Sequence, residues 1–172
     1  MKKKSLGVNA LLNGLRSILN ILFPIITFPY VSRVLQVKGI GIYNFSSSMV
    51  SYFSLIAGLG VSTYAIREGA RLRENPNKIT QFASQVFTIN IWSTGLAYLL
   101  LFVCLIVFSR LRSYLSCILI LSLQIFFTTI GTEWIYQIYE DYSYITIRSI
   151  IFQILSLILL FILVREPQDY LK

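Results

Sequence analysis

The sequence predicts an all-α fold, a polytopic transmembrane helical bundle with about five membrane-spanning helices. The prediction depends on the length of the apolar stretches, the scarcity of charge and the shortness of the connecting segments. A hydrocarbon core about 30 Å thick is crossed by about 20 helical residues. Five apolar stretches meet that length: 11–30, 42–65, 83–108, 114–136 and 145–164.

Composition argues against a soluble protein. Charged residues make up 13% of the 172 residues and hydrophobic residues 56%, whereas soluble domains are about 25% charged. The net charge of +8 comes from 15 Lys and Arg against 7 Asp and Glu. These cations cluster at the ends of apolar stretches, where they bind lipid headgroups. Because no RNA-binding motif or basic domain accompanies them, nucleic-acid binding is not expected.

The sequence contains no nucleophile–base pair, metal-ligand cluster or phosphate-binding loop of the kind that enzyme active sites use. It contains no histidine, which excludes a histidine metal site or a histidine general base. Cys104 and Cys117 lie inside apolar stretches and lack zinc-ligand spacing. The glycine pairs at 39–41 and 58–60 lack the preceding strand and third glycine of a nucleotide-binding loop. We therefore expect no catalytic residue, no cofactor and no metal.

The basic residues predict the orientation of the chain in the membrane. Lys2, Lys3 and Lys4 favour a cytoplasmic N-terminus, and the basic segment 66–80 would then also be cytoplasmic. The first stretch has no small-residue cleavage site after it, so we expect an uncleaved helix. Short connections predict that consecutive helices are antiparallel neighbours, and residues 1–172 are expected to form a single transmembrane domain.

A polar stripe marks the first stretch. Its members, at helical intervals of 4, 3, 4 and 7, are Asn9, Asn13, Arg16, Asn20 and Thr27. An arginine inside a span costs at least about 2.5 kcal/mol unless it meets water or an anion. Two interpretations stay open: a helix lining a hydrated cavity that accepts an anion, or an arginine that snorkels to the headgroups. The continuation of the stripe to Asn20 and Thr27 favours the cavity.

Other polar residues lie in the later stretches. Glu133 stands near the end of the fourth stretch and is expected to pair with Arg148 or Arg16, or to carry a coupling proton. Trp134 beside it is expected in an interfacial aromatic belt. A short polar face next to Arg148 consists of Ser149, Gln153 and Ser156. In the second stretch, small residues recur at intervals typical of a close helix-packing face: Ser47, Ser51, Ser54, Gly58 and Ser62.

Several segments in order carry a family resemblance. They are Phe23-Pro24-Ile25-Ile26-Thr27-Phe28-Pro29-Tyr30-Val31-Ser32-Arg33-Val34-Leu35, Gly39-Ile40-Gly41-Ile42-Tyr43-Asn44-Phe45-Ser46 with Tyr52-Phe53, Tyr64-Ala65-Ile66-Arg67-Glu68-Gly69-Ala70, and Glu133-Trp134, Tyr136-Gln137, Glu140 and Tyr144-Ile145-Thr146-Ile147-Arg148. Over nearly the whole chain they resemble the first helices of the Wzx-type polysaccharide flippases.

The resemblance implies an O-antigen or capsular-polysaccharide flippase of the multidrug/oligosaccharidyl-lipid/polysaccharide exporter superfamily, in the bacterial inner membrane. Such proteins move undecaprenyl-pyrophosphate-linked repeat units from the cytoplasmic to the outer leaflet, through a cationic cavity between two helical lobes. The implied partners are the lipid-linked oligosaccharide, membrane lipids and polysaccharide polymerase or assembly proteins. Five stretches would supply most of the first lobe and none of the second, so we expect an N-terminal portion that is inactive alone.

The cargo head is a pyrophosphate, and cations facing a cavity would offset part of its desolvation. The candidate substrate-binding residues are therefore Asn13, Arg16, Asn20 and Arg148, with Glu133 for ion coupling or pairing. Two other hypotheses remain: a drug/cation antiporter of the same superfamily, and a non-transporting membrane remnant or subunit.

Overall fold

A computed structural model of the chain describes residues 6–58, 60–166 and 169, without the side chains of residues 6 and 8–10. The described residues are mostly helical and contain no strand. The elements in chain order are α1 (Leu6–Gly58), α2 (Val61–Leu72), α3 (Pro76–Val107), a 3₁₀ helix (Ser109–Tyr114), α4 (Leu115–Ile130), α5 (Glu133–Ile138) and α6 (Tyr142–Leu163). The N-terminal lysines and the side chain of Asn9 lie outside the described residues.

Four helical runs are long and apolar enough to cross a membrane. They are Leu11–Leu72, Pro76–Val107, Ser109–Ile138 and Tyr142–Leu163. Each predicted stretch falls in one of these runs to within one residue, and the 62-residue first run contains both the first and the second stretch. The predicted polytopic helical bundle is confirmed.

A backbone break at Gln36 divides α1 into two helical segments. Gln36 has φ 55° and ψ −178°, a backbone conformation that residues other than glycine rarely adopt. The segment predicted as a connection between the first two stretches is helical on both sides of this residue. The long connection predicted at 66–80 also differs, because most of it belongs to α2 and the first turn of α3. Helix α3 begins at Pro76, before the start of the third predicted stretch at residue 83. It begins there because Asn75 Oδ1 accepts a hydrogen bond from the Lys78 amide at 3.2 Å and Pro76 occupies the first turn.

A second break interrupts the fourth predicted stretch. Thr132 adopts the left-handed region at φ 36°, ψ 37°, between the end of α4 and the start of α5. Trp134, just after the break, is 5% exposed and packs with Ala65, Ile79 and other apolar side chains of α2 and α3. The prediction that Trp134 lies in an interfacial belt is therefore wrong, because α5 packs its aromatic ring into a protein core.

The described residues form two compact units. One contains residues 6–40, 140–166 and 169, and the other contains residues 41–58 and 60–139. The core of the second unit joins the later segment of α1 to α3, the 3₁₀ helix and α4. Its buried members are Val50, Ala57, Ala97, Leu101, Leu105, Leu111, Ile118 and Ile125.

The packing face in the later segment of α1 is not the one predicted. Ser46, Val50 and Ala57 are buried, whereas Ser51 is exposed and a Cβ added at Gly58 would meet nothing within 4 Å. The close approach comes at Ala57, whose carbonyl oxygen accepts a hydrogen bond from Ser93 Oγ at 2.5 Å. The small-residue pattern therefore marks a face adjacent to the one that packs.

Candidate functional site

The first unit is built from the earlier segment of α1 and from α6. Hydrogen bonds join the two helices at three levels: Thr146 Oγ1 to the Leu12 carbonyl at 3.3 Å, Gln153 Nε2 to Asn20 Oδ1 at 2.8 Å, and the Tyr30 hydroxyl to the Val164 carbonyl at 2.8 Å. Residue numbers rise together along both helices, so the helices run parallel. A parallel arrangement is what the predicted topology requires of its first and fifth spans.

The middle level of this helix pair is an amide–amide contact. Gln153 lies near the centre of α6, and Asn20 lies near the centre of the first predicted stretch. Asn20 is exposed and Gln153 is half-buried, so the contact is open on one side. Because lipid offers no hydrogen bonds to an amide, the groups that this pair leaves open require water, a polar ligand or further protein as partners.

Two arginines lie in the same section of the pair. By position along the helices, Arg16 and Arg148 both fall between the Leu12–Thr146 level and the Asn20–Gln153 level. Both side chains are half-buried, and the Nε atom of Arg16 is completely buried. The guanidinium carbon of Arg148 lies 5.8 Å from the ring centroid of Tyr144, within the range of a cation–π contact. This section therefore combines two cations with neutral amides.

The remaining residues of the predicted stripe behave differently from one another. The Asn13 side chain is exposed, as expected of a residue on an open polar face. Thr27 is 8% exposed and its hydroxyl donates to the Phe23 carbonyl oxygen of its own helix at 2.9 Å. The exposed members of the stripe are therefore Asn13 and Asn20, with the half-buried Arg16 between them, and the exposure ends before Thr27.

Glu133 lies in the second unit, at the start of α5. It is half-buried, and its Oε1 accepts a hydrogen bond from Gln137 Nε2 at 3.4 Å. Its role in ion coupling or arginine pairing stays a prediction.

Gln153 was absent from the candidate set, although the polar face of α6 contains it. The available signal was its place in a mid-helix polar face beside Arg148. Sequence alone gives no means of choosing which of Ser149, Gln153 and Ser156 meets the first helix. In the described part of the chain, no group of three or more His, Cys, Asp or Glu residues could hold a metal ion.

Comparison with known proteins identifies the family. The family described as "Polysaccharide biosynthesis protein" matches residues 6–172. The chain belongs to this family. The predicted resemblance to the polysaccharide flippases is thereby confirmed at the family level.

Two curated relatives of the chain are named "Putative O-antigen transporter". The protein of Shigella dysenteriae is 26% identical over 156 residues, covering 87% of this chain and 37% of the relative. The protein of Escherichia coli strain K12 is 23% identical over 158 residues, covering 87% of this chain and 36% of the relative. The chain thus spans little more than a third of the length of these relatives. No solved structure matches the chain.

Proposed function

We propose that these helices form part of the translocation path of a flippase. The flippase moves undecaprenyl-pyrophosphate-linked polysaccharide repeat units from the cytoplasmic to the outer leaflet of the bacterial inner membrane, with the N-terminus cytoplasmic. The observation that carries the proposal is the open contact between Asn20 and Gln153, with Arg16 and Arg148 in the adjoining section of the same two helices. Membership of the polysaccharide biosynthesis family supports the class of cargo. The activity is that of the whole transporter to which these helices contribute.

The physical task of such a transporter is to carry a pyrophosphate through a low-dielectric slab. An ionised group moved from water into an apolar medium is destabilised by many kcal/mol unless it is paired and hydrogen-bonded. Guanidinium groups bind phosphate oxygens through charge-assisted hydrogen bonds about twice as strong as neutral ones. Arg16 and Arg148 would thus stabilise the pyrophosphate in the path, and the nearby amides, being neutral, would not repel it.

The same two cations disfavour the antiporter hypothesis. A cationic drug entering this section would meet the like charges of Arg16 and Arg148 in a medium where charge interactions are poorly screened. An anionic cargo is attracted by those charges.

Binding of the pyrophosphate head tests the proposal directly. The purified chain is placed in lipid nanodiscs and titrated with undecaprenyl pyrophosphate, with uncharged undecaprenol as the reference ligand. We expect Arg16→Gln and Arg148→Gln each to weaken pyrophosphate binding by about 10- to 100-fold, because each removes a charged hydrogen bond. Arg110→Gln, an exposed arginine of the 3₁₀ helix, is the matched control and should bind as the unsubstituted chain does. Equal affinity for undecaprenol and undecaprenyl pyrophosphate would contradict the proposal.

Transport is tested in a chimera. The segment of the E. coli O-antigen relative that matches this chain is replaced by the chain, and the chimera is expressed in a strain that lacks its own flippase. We expect Arg16→Ala in the chimera to reduce surface polysaccharide at an unchanged protein level, and Arg110→Ala to leave it unchanged. Equal export by the Arg16→Ala and unsubstituted chimeras would remove Arg16 from the path.

A further inference from the structure

The open side of the Asn20–Gln153 contact is matched to a particular part of the cargo. We propose that this amide pair binds the first sugar of the repeat unit while Arg16 and Arg148 bind the pyrophosphate. The inference rests on the proposed function and assigns separate subsites to the two parts of one ligand.

The spacing of the two subsites fits a sugar attached directly to a pyrophosphate. Asn20 is four residues beyond Arg16 and Gln153 is five beyond Arg148. At 1.5 Å per residue, the amides lie about 6 to 7.5 Å further along both helices. One hexose ring bonded to the outer phosphate would cover that distance of about one helical turn, so its hydroxyls would reach the amides while the phosphates stay beside the arginines.

The hydrogen-bonding capacity left on the pair suits a polyol. Gln153 uses one N–H on Asn20 Oδ1, which leaves its second N–H and its own carbonyl oxygen. Asn20 retains both N–H groups of Nδ2. The open side therefore offers donors and acceptors together. A sugar hydroxyl uses both, whereas a phosphate only accepts, a metal ion needs acceptors alone, and an acyl chain uses neither.

The protein also contains a polar contact between helices that is enclosed, and it serves as a comparison. Thr94 and Thr129 join α3 to α4 by a hydroxyl–hydroxyl contact of 2.7 Å and are 7% and 6% exposed. Thr129 Oγ1 is also within hydrogen-bonding distance of the Ile125 carbonyl oxygen, at 2.9 Å. That pair is enclosed by protein. The Asn20–Gln153 pair is open on one side and retains several hydrogen-bonding groups, as a ligand site requires.

The exposed part of α6 extends the polar surface beyond the pair. Ser156 follows Gln153 by three residues, which places it on the same face of the helix, and it is exposed. Its hydroxyl adds a donor and an acceptor one turn further from Arg148. A sugar at the amide pair would therefore find polar groups on the side away from the pyrophosphate.

The test compares two ligands that differ by one sugar. The chain in nanodiscs is titrated with undecaprenyl pyrophosphate and with undecaprenyl-pyrophosphate-linked N-acetylglucosamine, and the ratio of the two dissociation constants measures what the sugar adds. We expect the sugar to tighten binding by about tenfold, as two neutral hydrogen bonds would. Gln153→Met and Asn20→Leu, which keep side-chain volume, should bring the ratio close to one and leave binding of the sugar-free lipid within about twofold.

Two further variants test whether the lost sugar binding results from a general loss of structure. Gln124→Met changes an exposed glutamine of α4 in the other unit and should leave the ratio at its original value. The exchange Asn20→Gln with Gln153→Asn rebuilds an amide pair and should restore most of the ratio.

The outcomes separate this inference from the proposed function. If Gln153→Met weakens both ligands equally, or leaves the ratio unchanged, the pair is a structural contact and the sugar subsite is overturned while the flippase proposal stands. If the unsubstituted chain binds neither pyrophosphate ligand better than undecaprenol, the proposed function fails and the inference fails with it.

Discussion

The hydroxyl of Tyr30 donates a hydrogen bond to the carbonyl oxygen of Val164 at 2.8 Å. Val164 is the C-cap residue that directly follows the end of α6 at Leu163, and the last carbonyls of a helix have no partner within it. The Tyr30 ring also packs edge-on against Phe161, with ring centroids 4.5 Å apart. Tyr30 therefore caps α6 and holds the helix pair together at the end away from the arginines.

Removing the Tyr30 hydroxyl distinguishes the contribution of the hydrogen bond from that of the ring contact. Tyr30→Phe keeps the ring against Phe161 but leaves the Val164 carbonyl without its donor, so we expect the free energy of unfolding in detergent micelles to fall by about 0.5–1.5 kcal/mol. Tyr52→Phe is the control, because Tyr52 is 67% exposed. An equal loss in both variants would show that the hydrogen bond contributes nothing measurable.

Gly69 marks the closest approach of α2 to α5. A Cβ at Gly69 would overlap Ile138 Cδ1 and lie 2.9 Å from Ile138 Cγ1, and Ile138 is 1% exposed and stiff at its branched carbon. We expect Gly69→Ala to lower the free energy of unfolding by about 1–3 kcal/mol, the usual effect of overpacking.

A double-mutant cycle checks the cause of this loss. Ile138→Val shortens the side chain that the methyl group introduced by Gly69→Ala would meet. The double variant, Gly69→Ala with Ile138→Val, should therefore lose less stability than the sum of the single losses. Gly95→Ala in α3 is the matched control, since its Cβ meets nothing within 4 Å, and it should not destabilise. Additive single effects would mean that the two side chains do not collide.

The break at Gln36 stores backbone strain. A non-glycine residue at φ 55°, ψ −178° is destabilised by about 1–3 kcal/mol, and glycine adopts that region without a Cβ penalty. We expect Gln36→Gly to leave the thermal midpoint in detergent unchanged or to raise it. Val37→Gly, at the helical residue that follows, should lower the midpoint by the equivalent of about 0.5 kcal/mol. A fall of similar size in both variants would mean that position 36 is helical in solution.

The buried hydroxyls of Thr94 and Thr129 are predicted to be energetically coupled. Their oxygen atoms lie 2.7 Å apart and share a hydrogen bond, and Thr129 Oγ1 also lies 2.9 Å from the Ile125 carbonyl oxygen. Thr94→Val and Thr129→Val should each destabilise the protein, and the double variant should lose less than the sum, by about 0.6 kcal/mol as is usual inside membranes. Unfolding of the four proteins in the same detergent measures this coupling, and additivity would contradict the geometry.

The candidate site could be predicted in part. The helical intervals that link Asn13, Arg16 and Asn20 placed them on one face, on which Asn13 and Asn20 are exposed and Arg16 is half-buried. The same intervals extended the stripe to Thr27, which is buried and bonded to its own helix. Periodicity shows which side chains share a face, but it contains no information about where a neighbouring helix covers that face.

The pattern in the later segment of α1 shows the same limit. The recurring small residues that include Ser47 and Gly58 predicted a close packing face. The buried face consists instead of Ser46, Val50 and Ala57, each one position before a member of the predicted face. Small residues permit close approach, and the neighbours that actually approach are set by α3 and α4. The backbone breaks at Gln36 and Thr132 were likewise unpredicted, because neither glutamine nor threonine favours a positive φ.

The sequence by itself determined that the chain crosses the membrane, how many apolar stretches it has and which family it resembles, because span length, charge content and motif order are properties of a linear chain. Only the tertiary structure decided that the earlier segment of α1 and α6 run parallel, that Gln153 is the partner of Asn20, and that Trp134 is buried. Those facts depend on contacts between residues more than a hundred positions apart, or on a backbone turn that changes which surface a helix meets. Such contacts follow from the packing of whole helices, which no local pattern specifies.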